Sequence, residues 1–259
     1  MLRAFTYLVV AALLLPLVVI VMTSFTTLGY VSFPPEGFTL RWYAEALRKR
    51  EFLESFSLSL AVAAGTAALA TVLGTPVAVA TARYRFPGRD LVNAFFMSPL
   101  VLPTVVIGIA LLQFYNRIGI GATAASLVLG HVIITTPYAI RLVAASLTGL
   151  DPSIERAARN LGAAPLRAFL RVTLPLIAPG IAAGAIFAFV TSFDNVTVSV
   201  FLATPQMVTL PVRIYNLWDQ PIYPWLVAIC SLVIAWTVLL IAVVERVVSV
   251  RGLFGGGDR

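Results

Sequence analysis

Two ionisable residues, His131 and Asp194, lie deep inside long apolar runs, where each is able to do more than pack. An imidazole can exchange a proton or simply satisfy its ring nitrogens with neighbours. A carboxylate at mid-bilayer costs on the order of 2.5–3.5 kcal/mol on insertion scales, so Asp194 must face a bundle interior, a watery path or a polar partner. Two readings follow. In one, Asp194, Asn195 and His131 line a substrate pathway whose carboxylate attracts a cation. In the other, Ser192, Asp194 and Asn195 bond a neighbouring helix or subunit, and a single carbonyl satisfies His131. Thr135, Thr136 and Tyr138 read as packing and backbone-bonding groups around Pro137.

Catalytic patterns are missing. There is no H-E-x-x-H helix, no G-x-S-x-G elbow and no cysteine–histidine pairing, so neither catalytic residues nor metal ligands are assigned, and an intramembrane enzyme built on His131 and Asp194 is disfavoured. Cys230 is the single cysteine, which excludes an intramolecular disulfide. The only lysine, Lys49, follows no Gly-x-x-x-x-Gly, and the triple glycine at 255–257 lacks a following Lys-Ser/Thr. Without a P-loop, any use of ATP would have to pass through a partner.

The elements that hold these residues are membrane spans. Of 259 residues, 60% are hydrophobic and 11% charged, too little polar surface to coat a soluble globule. Soluble enzymes, nucleic-acid-binding domains and disordered scaffolds are thereby excluded. The net charge of +7 resides in short loops, where basic groups set topology and meet anionic headgroups. Six apolar stretches, at about 5–27, 57–82, 92–115, 122–147, 180–203 and 225–248, each reach the roughly 20 residues of a helical crossing. None alternates with period two, as a barrel strand would. The expectation is an all-α membrane protein with six transmembrane helices in one domain, 1–259. The first stretch is longer than the apolar core of a signal peptide and no Ala-x-Ala site follows it, so it reads as an uncleaved helix.

Arginine placement sets the orientation. One side of a six-span arrangement holds Arg3, Arg83, Arg85, Arg89, Arg141, Arg156, Arg159, Arg167, Arg171, Arg246, Arg251 and Arg259; the other holds Arg41, Arg48, Lys49, Arg50, Arg117 and Arg213. That bias puts both termini in the cytoplasm. Residues 28–56 then form an outer segment with a short amphipathic helix around Trp42 and Tyr43, and Trp218 and Trp225 fall near an interface. Pro16, Pro76, Pro99, Pro103 and Pro137 predict kinks within a bundle, because each removes a backbone bond in hydrocarbon. The pairs Ala61/Gly65, Ala70/Gly74 and Gly180/Gly184 predict tight helix–helix seams.

Between the fourth and fifth spans, residues 148–179 exceed the 2–8 residues that a simple helix connection needs. Asp151 is placed to cap a helix that opens with Pro152 and carries Glu155 in its first turn, and Gly162 offers a left-handed closure. A second amphipathic helix is predicted over 166–173, with Arg167 and Arg171 on one face, and Pro175 and Pro179 are expected to break the chain before the fifth span. So short a projection is marginal alone; it packs on the bundle's underside or on a second protein.

Glu155-Arg156-Ala157-Ala158-Arg159-Asn160-Leu161-Gly162, followed nine residues later by Val172-Thr173-Leu174-Pro175, resembles the EAA motif of permease subunits of bacterial ABC importers. Arg156 stands where that motif has its glutamate, and Val172 replaces an isoleucine. Phe38-Thr39-Leu40-Arg41-Trp42-Tyr43, Ser98-Pro99-Leu100-Val101-Leu102-Pro103, Gly130-His131, Ser192-Phe193-Asp194-Asn195 and Leu210-Pro211-Val212 resemble the spermidine/putrescine-type branch. The resemblance implies a type I ABC importer permease fold in a bacterial inner membrane, with the loop as a coupling helix. Glu155, Arg156, Ala157, Ala158, Gly162, Leu174 and Pro175 would then couple it to a cytoplasmic ABC ATPase dimer, which holds the ATP and Mg. It also implies a second permease subunit, a heterodimer being favoured, and a periplasmic or extracellular solute-binding protein. An ion-coupled secondary transporter or channel is the alternative, against which stand the lack of an internal repeat and the paucity of intramembrane ionisable groups.

Overall fold

The computed structural model describes residues 2–217 and 219–248; Met1, Trp218, Arg251, Arg259 and the glycines at 255–257 lie outside the described residues, as does the side chain of Arg246. Helices dominate, and no strand occurs among the described residues. Among the described residues, five helices are long and apolar enough to cross a membrane alone, and counting one bent pair as a crossing gives six. The chain divides into two compact units, Met1–Phe56 with Arg213–Val247, and Ser57–Val212.

In the first unit, α1 (Leu2–Thr23) is apolar on every side and exposed over most of its length, as a lipid-facing span is. It stops at Thr23, short of the predicted 27, where the Thr23 and Ser24 hydroxyls turn back onto the carbonyls of Val19 and Val21. The predicted amphipathic helix is α2 (Arg41–Arg48), which buries Trp42 and Ala46. The Trp42 indole N–H donates to the Thr26 carbonyl at 2.7 Å, and the Tyr43 hydroxyl donates to Ser231 Oγ at 3.1 Å. α3 (Arg50–Arg83) begins before the predicted 57. Arg50 pairs with Glu54 at 2.7 Å, one helical turn on, and Phe52 buries its ring edge-on against Trp225, so order extends past the apolar run. The Lys49 ammonium lies 4.1 Å above the Trp225 ring in α12 (Pro224–Val248).

The second unit is built around α6 (Ala124–Thr148), whose N-terminus carries a reciprocal capping box between Thr123 and Ser126. The predicted small-residue seams are present. A Cβ on Gly180 would fall 2.6 Å from Ser146 Cβ and 3.0 Å from the Leu142 carbonyl, and one on Gly184 would fall 3.2 Å from Ala139 Cα. Gly74 meets Ala139 in the same way at 3.1 Å, and Gly65 meets Val128 at 3.3 Å. Helices this close gain dispersion contacts along their whole length, which is what holds a bundle in lipid.

Three sequence expectations are corrected here. The stretch 92–115 is not one kinked helix. It is α4 (Arg89–Met97), a 3₁₀ turn at Ser98–Leu100 and α5 (Thr104–Arg117), bent by 101°. Pro99 and Pro103 explain the elbow: Pro103 forces its predecessor out of helical geometry and itself serves as the N-cap of α5. Neither Pro175 nor Pro179 breaks the chain. After α7 (Pro152–Asn160), α8 (Pro165–Ala168) passes through a π-helical turn at Phe169–Thr173 directly into α9 (Leu174–Phe193). In the wide turn the Leu174 N–H reaches the Phe169 carbonyl, and Pro175 occupies the first turn of α9, where a missing N–H is cheap. Third, this helix ends at Phe193 rather than at 203. Asp194 is therefore its C-cap, not a residue inside the span, and α10 (Ser199–Leu202) follows as a separate short helix, with α11 (Leu210–Tyr215) after it.

Candidate functional site

The excursion between α6 and α9 is shaped by local hydrogen bonds. Asp151 Oδ1 accepts the Ser153 amide N–H at 2.8 Å, with Pro152 in the first turn. Hydrogen bonds from Ser153, backbone first, and then the charge of Arg156 hold the Asp151 carboxyl below the usual carboxylate range. At the other end Gly162 has φ +88°, its N–H donates to the Arg159 carbonyl at 3.0 Å, and the Ala163 N–H donates to the Ala158 carbonyl at 3.1 Å. This is a Schellman closure, which requires a left-handed residue.

Glu155 is the one motif residue drawn inward by a polar tie. Its Oε2 accepts from Arg83 Nη1 and from Thr173 Oγ1, both at 2.6 Å. The Arg83 and Glu155 side chains are 15% and 17% exposed, so water screens the pair only weakly. Arg156, Ala157 and Gly162 are exposed, Ala158 is half-buried, and Leu161 and Leu166 present bare apolar side chains at 90% and 69% exposure. Leu174 is half-buried and Pro175 exposed at the foot of α9. Of the predicted coupling residues, Glu155, Arg156, Ala157, Ala158 and Gly162 thus lie on α7 and its exit, while Leu174 and Pro175 open α9. Arg83 and Thr173 were missed as partners, because a residue 72 positions away gives no local signal.

The predicted pathway residues fall at the far end of α9, about 30 Å along its axis from Thr173. His131 is completely buried, with Nδ1 2.7 Å from Ser192 Oγ and Nε2 2.9 Å from Ser199 Oγ. One ring thereby ties α6 to the end of α9 and the start of α10. Asn195 Oδ1 accepts the Val198 N–H at 2.9 Å and the Ser199 N–H at 3.4 Å. Asp194 is exposed beside them. His131 and Asn195 thus both engage in hydrogen bonds within this unit, and Asp194 is the carboxylate open to its surroundings. A cavity of about 550 Å³ in the α4–α5 elbow, lined by Phe95, Pro99, Leu102, Val106, Phe114 and Thr136 among others, has no ionisable lining residue.

Residues 70–251 match the model of a protein family described as "Binding-protein-dependent transport system inner membrane component". The chain is 33% identical to the putrescine transport system permease protein PotI of Escherichia coli (strain K12), over 91% of this chain and 89% of that one. It is 29% identical to the spermidine/putrescine transport system permease protein PotC of Shigella flexneri, over 96% and 94%. Its fold is similar to a chain in the crystal structure of a bacterial ABC transporter involved in the import of the acidic polysaccharide alginate. There the TM-score is 0.77 at 17% identity, and the match covers 94% of both chains.

Proposed function

Because the chain belongs to the family of binding-protein-dependent transport system inner membrane components, we propose that it moves a polyamine-like cation inward through a bundle driven from its loop side. It is the permease subunit of an ABC importer, a transport component and not an enzyme. The polyamine reading is supported by the relatives that share most of its length, which carry spermidine and putrescine. The absence of a P-loop from the sequence supports a partner ATPase dimer as the holder of ATP and Mg.

The observation that carries the driven-gate reading is the capped helix α7 with its left-handed exit at Gly162. A nine-residue helix with no buried residue has little reason to hold its form alone, and its bare Leu161 and Leu166 offer an apolar hold to a partner. In this reading Arg156, Ala157, Ala158 and Gly162 face the ATPase, Glu155, Leu174 and Pro175 join α7 to the bundle, and both termini share the ATPase side. ATP binding by the dimer moves the docked helices and switches the bundle from inward-facing to outward-facing, where a solute-binding protein releases its cargo. A second, related permease chain completes the pathway, and Asp194 supplies its attraction for cations.

Gly162→Asp tests the dock. A side chain at φ +88° strains the closure, so binding-protein-stimulated ATP hydrolysis is expected to fall at least tenfold while the protein still inserts. Stimulation at the wild-type level would remove the excursion from the coupling role. The cargo is tested by purifying the complex with its solute-binding component and measuring spermidine and putrescine binding; binding of neither would overturn the polyamine reading.

A further inference from the structure

The nine residues of α7 are held to the rest of the unit with no buried side chain of their own: Ile154 is 44% exposed, and Leu161 just past its end and Leu166 in α8 are more so. Apolar burial is therefore not what fixes the helix in place. The contact that does so is polar and short. Arg83 is the last residue of α3, Thr173 is the last residue of the π-helical turn at the foot of α9, and both donate to one oxygen of Glu155 at 2.6 Å. Charge-assisted bonds of that length are the stronger kind, and the low exposure of both charged partners preserves them.

We propose that Arg83, Glu155 and Thr173 form a positioning triad that locks α7 to the loop-side ends of α3 and α9, so that the coupling helix and these two spans move as one body. The inference rests on the coupling role assigned to α7 above. Its physical content is stiffness. With the triad closed, displacement of α7 turns α9, whose other end carries Ser192 and Asp194. With it open, α7 is left on its two chain connections, at Gly149–Asp151 and Gly162–Ala164, and a push on it is absorbed there. The π-helical turn belongs to the device, because its extra residue sets the rotation at which Thr173, itself fully buried, meets Glu155.

The test is a pair of nitroxide labels in a Cys230→Ser background, one replacing exposed Val72 on α3 and one replacing exposed Asn160 at the end of α7. Pulsed dipolar spectroscopy on the full complex should give one narrow distance that stays unchanged when ATP and Mg bind with hydrolysis blocked. Arg83→Ala and Glu155→Ala should each at least double the width of that distribution and lower binding-protein-stimulated hydrolysis at least fivefold, and the double variant should fall no further. Glu155→Gln, which keeps an acceptor for Thr173, serves if Glu155→Ala does not fold, and should give an intermediate width. A distance that shifts on nucleotide binding in the unmutated triad, or widths unaltered in the single variants, would overturn the proposal. Loss of the ATPase from the wild-type complex would instead strike the docking reading, since the label distance is readable with or without it.

Discussion

Asp151 and His131 show how differently one side chain can act at a helix end and in a helix core. The bonds that lower the Asp151 carboxyl below its ordinary range exist only while α7 is capped. A depressed carboxylate contributes stability above its unfolded pKa and loses it as pH falls through the folded one. Protection of the α7 amides, taken relative to their intrinsic exchange at each pH, is thus expected to fall on acidification below the usual carboxylate range, and Asp151→Asn should flatten that dependence; protection that does not change with pH in the native protein would contradict it. His131, by contrast, answers two serine hydroxyls from a site without water access. His131→Phe leaves both hydroxyls unanswered, and a loss of about 2–4 kcal/mol is expected from two orphaned groups, readable as a lowered thermal midpoint in detergent. Asp194→Asn should leave that midpoint alone while reducing uptake of a cationic cargo; undiminished uptake would take Asp194 out of the pathway. The Asp151 cap and the Gly162 turn were legible in the sequence because their partners lie within a few residues. Ser192 and Ser199 as partners of His131, 61 and 68 positions away, were not.

At the scale of elements, the α6–α9 seam and the π-helical turn are the two places where a single atom or residue matters most. Gly180→Ala puts a methyl against Ser146 and the Leu142 carbonyl, and backbone cannot retreat as a flexible side chain would. Overpacking of this kind costs about 1–3 kcal/mol, so poorer assembly and a lower thermal midpoint are expected, with partial recovery in Gly180→Ala/Ser146→Gly. Thr173→Val removes the hydroxyl that the last residue of the π-helical turn donates to Glu155, and stimulated ATP hydrolysis should fall even though every motif residue is retained. Small-residue spacing revealed the seams because four-residue periodicity is a property of one helix. The continuity through Pro175 was hidden for the opposite reason. Proline reads as a break wherever it occurs, yet it is harmless in a first helical turn, and nothing in Phe169–Thr173 announces the wide turn that makes Leu174 the start. The elbow at Pro99–Pro103 was visible as two prolines, but the 101° angle depends on how α4 and α5 meet α6.

For the molecule as a whole, the proposed division of labour rests on composition and on the sequence pattern. A chain that is 60% hydrophobic and carries no P-loop motif suits a route through the bilayer, with the nucleotide assigned by the proposal to a partner. Proteoliposomes holding the permease without its ATPase are accordingly expected to show no concentrative uptake, and accumulation under those conditions would favour the ion-coupled alternative. The segment around α2 also has a practical side. Lys49 is the one lysine in the chain, and its ammonium rests on the face of Trp225. Acylation of side-chain amines therefore falls at a single address and strips a cation from a single indole, giving a spectroscopist a native optical gauge of that segment with no engineered label.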